Sequence, residues 1–249
     1  MSKVGQADAT PRSGFPVGRR ALGLALVLLA CGRPAPGSSP APHQGKDAAT
    51  SAEAPAAAQG SDAAAESLLV DVRSADSTIQ VDARYAGPNN FTGAPLPGYE
   101  APRALLRREA ATALARVQRR LRSGGLGLRV FDGYRPVRAT QAMVAWTERV
   151  GRPELVDSGY IARRSRHNMG VAVDLTLVDL VTGTEVPMGT EFDAFTPAAH
   201  TANAEGRVAR YRQILVRAME SEGFTNYEQE WWHFSYPVKG AVPFDRVIH

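Results

Sequence analysis

The chain has 249 residues and a single cysteine, Cys31. One thiol cannot close an internal disulfide, so no covalent staple contributes to the fold. Long hydrophobic runs are missing too: the apolar stretch Ala21–Ala30 has ten residues, against the roughly 20 that a membrane-spanning helix needs. A large charge excess is also absent. The net charge is +4, and residues 1–30 carry Lys3, Arg12, Arg19 and Arg20 against Asp8, a net +3 that leaves +1 for the rest. No basic patch interleaved with aromatics is present, so the pI of about 9.4 is no argument for nucleic acid, which is excluded as a partner. There is no internal repeat.

What is present divides the chain into three parts. Arg19 and Arg20 followed by Ala21–Ala30 have the basic and apolar regions of a secretory signal. Ala30 before Cys31 resembles the lipobox of bacterial lipoproteins, in which the cysteine is lipidated and becomes the mature N-terminus, although Leu29 departs from the smaller residue usual there. The alternative is an ordinary cleaved signal with a cysteine at its end. Residues 1–31 are therefore read as a lipoprotein-type signal, exporting the protein to the bacterial cell envelope with a lipid on Cys31 as its sole membrane contact. Residues 32–65, rich in Ala, Pro, Ser and Gly, bury too little apolar surface to offset their ordering entropy and read as a disordered tether. Residues 66–249 are long enough for one core.

Within that domain, Ile79, Val81, Ala83 and Tyr85 alternate as in a strand, and a Pro/Gly/Asn-rich loop follows. A helix is expected from about Pro102, with Leu105, Ala110, Leu114, Val117 and Leu121 as its apolar stripe and Gly124–Gly125 as its stop. A strand through "LGLRVFDGYRP" and a helix over 138–149 come next, then strands and turns over 161–195. A helix through Val208, Tyr211, Leu215 and Ala218 ends at Gly223, and "EQEWWHFSY" reads as a final strand. Helices and strands do not alternate regularly, so the expected class is α+β with an antiparallel sheet and flanking helices.

The chemistry concentrates in two segments. In "SRHNMGVAVDLTL", His167 precedes Asp174 by seven residues, and the apolar residues around Asp174 read as a buried strand. A buried carboxylate needs something positive to hold it. An odd spacing places two side chains on opposite faces of a straight strand, so the chain must turn at Asn168–Gly170 if both are to meet. With His233 of "EWWH" they make a set of three N/O ligands that leaves one position open, the pattern of a catalytic zinc site. Glu230, three residues before His233, is placed to take a proton from water and pass it to a leaving amine. Each feature has an ordinary alternative: a lone histidine beside a strand is more often a core or surface residue, and one of Trp231 and Trp232 is expected in the core. His200 reads as a loop residue, and His43 and His249 as inert.

These two segments, with "YAGPNNFTG", "DGYRPVRA" and "VPMGTEFD" in the same order, resemble the VanX-type D-alanyl-D-alanine dipeptidases. That family belongs to the zinc-peptidase group that also holds D-Ala-D-Ala carboxypeptidases and the hedgehog amino-terminal domain. The likeness spans nearly all of 66–249 and implies the hedgehog/D-Ala-D-Ala peptidase-like zinc fold. It implies one Zn2+ per chain on His167, Asp174 and His233, with Glu230 as general base and acid and Arg135 stabilising the oxyanion, a role suited to a fixed guanidinium fork. Asp132 would orient Arg135, or else cap its turn. Asp193 and Tyr85 would hold the free ammonium of a small dipeptide and Ser165 its backbone or carboxylate, although for Tyr85 and Ser165 a structural hydrogen bond serves as well. A buried carboxylate such as Asp193 rejects N-blocked chains, so dipeptide hydrolysis is favoured over a wall-trimming carboxypeptidase or endopeptidase. A zinc-stabilised binding module has no use for Glu230. Resistance dipeptidases of the family are cytoplasmic, whereas this chain carries an export signal, so salvage of D-alanine from wall-derived dipeptides fits better.

Overall fold

The computed structural model describes residues 59–249. The signal, Cys31, His43 and the tether as far as residue 58 lie outside the described residues. Thirteen helices and strands follow in chain order: α1 (Asp62–Leu68), β1 (Leu69–Asp71), α2 (Val72–Ala75), β2 (Gln80–Val81), β3 (Leu105–Arg107), α3 (Arg108–Arg122), β4 (Leu126–Asp132), α4 (Val137–Arg149), α5 (Glu154–Asp157), β5 (Ala172–Asp179), α6 (Gly206–Glu220), β6 (Thr225–Asn226) and β7 (His233–Ser235). The class is α+β. Five strands form one sheet in the order β2-β4-β5-β7-β6, and β1 pairs with β3 apart from it. No helix among the described residues is long and apolar enough to cross a membrane.

β5 is the central strand. Every residue from Ala172 to Val178 is buried, so both faces of the strand are largely apolar, with Asp174 and Thr176 the polar exceptions. The apolar stripe of α3 (Ala110, Leu114, Val117, Leu121) and Leu215 and Met219 of α6 join Leu128, Val130, Leu175 and Leu177 of β4 and β5 in one hydrophobic cluster. A second cluster gathers Tyr85, Met143, Leu155, Phe244 and Ile248, and Phe192 packs against both.

The structure corrects several sequence expectations. The expected strand over 77–85 survives only at Gln80–Val81 and pairs parallel with β4, the one parallel pairing in an otherwise antiparallel sheet. Tyr85 sits in a 3₁₀ turn, Arg84–Ala86, where Asn90 Nδ2 donates to the carbonyls of Arg84 (3.2 Å) and Gly87 (2.7 Å) and folds the chain back. Leu105 is not on the helix but in β3, because Leu105–Arg107 pair with Leu69–Asp71 before α3 begins. Of "EQEWWHFSY", only His233–Ser235 is strand. The folded part also starts earlier than residue 66: Ser61 caps α1, Ala65 is buried, and Gly60 N donates to Pro243 O at 2.8 Å. Both Trp231 and Trp232 are core residues.

Candidate active site

The strand register builds the site. Asp174 of β5 pairs with Asp132 of β4 on one side and with His233 of β7 on the other. Directly opposed residues on adjacent strands hold their side chains about 5 Å apart on one face, so a short row of polar groups crosses the end of the sheet. His167 reaches this row from the 3₁₀ turn Arg166–Met169, which Gly170 reverses into β5 at φ 67°. A side chain is strained in that left-handed conformation, and a Cβ there would also run into Leu69. This is the turn that the odd spacing of His167 and Asp174 requires.

His167 Nε2, Asp174 Oδ1 and His233 Nδ1 converge, with Nε2–Nδ1 at 3.1 Å, Nε2–Oδ1 at 3.3 Å and Nδ1–Oδ1 at 2.9 Å. Tetrahedral ligands about 2.0–2.2 Å from a zinc ion lie roughly 3.3–3.5 Å from one another. The residues fit zinc in donor chemistry, their ligand atoms stand within about half an ångström of that spacing, and all three belong to the His/Asp metal-site candidate among the described residues. His167 Nδ1 lies 2.6 Å from Gly133 O, so it carries the ring proton and leaves the Nε2 lone pair facing the row. Burial acts to raise the Asp174 carboxyl, but the two imidazoles outweigh it and hold Asp174 well below the usual carboxylate range. Burial lowers His233, which favours the neutral ring that ligates a metal.

Glu230 Oε2 stands 3.9 Å from His233 Nδ1. Its turn is fixed by Glu230 N donating to Tyr227 O at 2.9 Å and by Asn226 Nδ2 donating to Glu230 O at 3.1 Å. Its carboxylate accepts no hydrogen bond among the described residues. Burial, together with the Asp174 and Asp193 charges, pushes its carboxyl well above the usual range, so a nearby cation is needed to keep it ionised.

Arg135 is buried, and Asp132 Oδ2 accepts from its Nε (2.9 Å) and forms an ion pair with its Nη2 (2.8 Å), while Oδ1 accepts from Tyr99 Oη at 2.6 Å. Asp132 is thus placed directly against the Arg135 guanidinium. The guanidinium lies 4.9 Å from the Tyr85 ring centroid and 3.5 Å from Asp174 Oδ2. Tyr85 Oη donates to Asp193, 3.0 and 3.1 Å from its two carboxylate oxygens. Loss of water and the charge of Asp174 push the Asp193 carboxyl up. Ser165 Oγ accepts from His167 N at 3.2 Å, so it shapes the ligand turn while its hydroxyl proton remains free to donate.

Among the described residues, all the candidate site residues except Asp132 line one cavity of about 380 Å³. Its apolar wall includes Phe91, Met143, Phe195 and Trp232, with Phe91 edge-on to Phe195 at 5.0 Å. At the rim the Tyr160 hydroxyl meets His200 Nε2 at 3.0 Å, while His249 pairs with Glu100 at the surface. Sequence reasoning missed Gly133, Tyr99 and Asn168. Asn168 Nδ2 donates to Arg135 O (2.9 Å) and Thr140 Oγ1 (2.8 Å), tying the ligand turn to α4. Its position next to His167 is the only signal in the sequence, where Asn168 shows just the preference of a turn residue.

Two imidazoles, a carboxylate and a free glutamate around one cavity define a zinc hydrolase site. The D-Ala-D-Ala dipeptidase model of peptidase family M15 matches residues 65–248, and the chain belongs to that family. It is 38% identical over 174 residues to the D-alanyl-D-alanine dipeptidase of Streptomyces coelicolor, covering 64% of this chain and 86% of that one. To the D-alanyl-D-alanine dipeptidase of Escherichia coli it is 34% identical over 177 residues, covering 70% and 88%. A solved vancomycin-resistance D,D-dipeptidase, VanXYg, bound to a D-Ala-D-Ala phosphinate analogue, is 18% identical with a TM-score of 0.37, covering 70% of this chain and 68% of that one.

Proposed function

We propose that the chain is an envelope D-alanyl-D-alanine dipeptidase that uses one zinc ion held by His167, Asp174 and His233. The observation that carries this reading is the convergence of those three ligand atoms within one cavity that also holds Glu230, Arg135 and Asp193. Family membership and the named relatives supply the substrate. Zinc bound there supplies Lewis acidity for the scissile carbonyl and makes water a nucleophile near neutral pH.

The chain's own groups do the rest. Glu230 takes a proton from the attacking water as its oxygen adds to the carbonyl carbon, then delivers that proton to the departing amine nitrogen as the C–N bond breaks. Two molecules of D-alanine leave. Arg135, fixed by Asp132 and stacked on Tyr85, donates to the oxyanion that develops at the carbonyl. Asp193 accepts from the substrate's α-ammonium, whose charge restores the ionised carboxylate that burial disfavours. Ser165 donates to the substrate's backbone or carboxylate. The signal-like Arg19–Cys31 segment supports export and a lipid on Cys31, which would bring the domain to dipeptides released from the wall.

The test is a substrate panel. Zinc-loaded protein should release alanine from D-Ala-D-Ala with kcat/KM at least about 100-fold above that for N-acetyl-D-Ala-D-Ala and above that for L-Ala-L-Ala. Comparable turnover of the acetylated compound would reject the dipeptidase in favour of a carboxypeptidase. For the anchor, Cys31→Ala should move the protein from the membrane to the soluble fraction, and persistence in the membrane would refute lipidation.

A further inference from the structure

Arg212 of α6 is a buried cation that the chemistry above does not use. The residue is 2% exposed, and among the described residues no carboxylate lies within ion-pair distance. A buried charge must be compensated, and here main-chain carbonyls do it. Arg212 Nε donates to Met188 O (2.8 Å), Nη1 to His200 O (2.8 Å) and more weakly to Asn203 O (3.4 Å), and Nη2 to Ala198 O (3.0 Å). These carbonyls flank Asp193 on both sides. From Pro187 to Asp193 the backbone makes no ladder or turn of its own: among the described residues, no hydrogen bond between main-chain groups involves residues 187–193. Two side-chain hydrogen bonds tie this stretch as well: Trp231 Nε1 donates to Thr190 Oγ1 at 2.8 Å, and Tyr85 Oη donates to Asp193 itself. Asp193 is also the one non-glycine residue with positive φ, 59°, among the described residues, a conformation that persists only where the surroundings over-determine it.

We propose that Arg212 is a positioning residue for recognition of the substrate's α-ammonium. It pins both ends of the 188–203 loop, with Trp231 as a second tie, so that Asp193 is presented to the cavity in its left-handed conformation. A planar guanidinium suits the task, since it stays charged and directs its donors to several carbonyls at once. The inference rests on Asp193 being the ammonium acceptor.

The test compares D-Ala-D-Ala with propanoyl-D-alanine, which keeps the amide and the carboxylate but lacks the amine. The ratio of their kcat/KM values measures amine recognition and is blind to the fraction of protein folded, because both substrates see the same active molecules. Arg212→Lys should lower this ratio by about 10-fold or more, the scale on which small misplacements act, through KM for D-Ala-D-Ala. In an Asp193→Asn background it should add no further fall. An unchanged ratio in Arg212→Lys, with Asp193→Asn lowering it, would overturn the role of Arg212 alone. An unchanged ratio in Asp193→Asn would overturn the reading of Asp193 and this inference with it. Should Arg212→Lys yield no folded protein, Thr190→Val loosens the same loop from its tie to Trp231. A fall in the ratio there supports the pinned loop, and an unchanged ratio overturns it.

Discussion

At the scale of single residues, the site separates groups by environment. Asp174 and Glu230 are both buried carboxyls of one cavity, yet their affinities for protons diverge. Two imidazoles hold Asp174 in its ionised form, while burial and neighbouring carboxylates push Glu230 the other way. The first suits a permanent ligand and the second a group that accepts and returns a proton. Glu230→Gln keeps the shape and removes the proton shuttle. It should retain zinc and the native circular dichroism spectrum while kcat on D-Ala-D-Ala falls by about 100-fold or more, and turnover near the parent rate would remove Glu230 from the mechanism.

At the scale of elements, the site is a consequence of register. β4, β5 and β7 place Asp132, Asp174 and His233 in one row, and a slip of one residue would turn each side chain to the opposite face. The sequence carried part of this. The apolar run of β5, the stop at Gly124–Gly125 and the turn at Gly170 were legible, because each reports a local preference. The pairing of Leu105–Arg107 with β1 and the short parallel β2 were not, since both depend on partners distant in the chain. The roles of Tyr99, Gly133 and Asn168 were hidden for the same reason. Each acts on a residue 33 or 34 positions away in the sequence.

Packing between helices yields a test of its own. Glu222, just beyond α6, accepts from Arg120 Nη2 (2.8 Å) and Arg116 Nε (2.6 Å) of α3. These two hydrogen bonds, that from Arg120 first, lower its carboxyl below the usual range. A depressed folded-state value contributes stability above the unfolded value, near pH 4.3, and loses it as the pH falls through the folded value. Glu222→Gln should therefore cost up to about 1 kcal/mol near pH 7, a figure limited by solvent screening of the exposed arginines. The difference should shrink when the pH is lowered from neutral to an acid value below the depressed folded one. Denaturant melts at the two pH values check this, and a cost that does not change with pH would exclude the ion pair as its source.

At the scale of the whole molecule, the cavity lies where two hydrophobic clusters meet, with Trp232 from one and Tyr85 and Met143 from the other on its walls. The ligands come from a turn and two strands of this common structure, so an ion that binds only the folded state must stabilise all of it. Removing the metal with a chelator should lower the Tm by several degrees, and added zinc should restore it. A Tm indifferent to the metal would mean that the three groups do not hold it in the folded protein.

Whether His167, Asp174 and His233 gather one dication is read directly by anomalous diffraction at the zinc absorption edge from crystals of the zinc-loaded protein. A single strong peak is expected within about 2.0–2.2 Å of His167 Nε2, Asp174 Oδ1 and His233 Nδ1, with Glu230 beside it and outside bonding distance. A peak elsewhere, or none at these three atoms, would contradict that ligation.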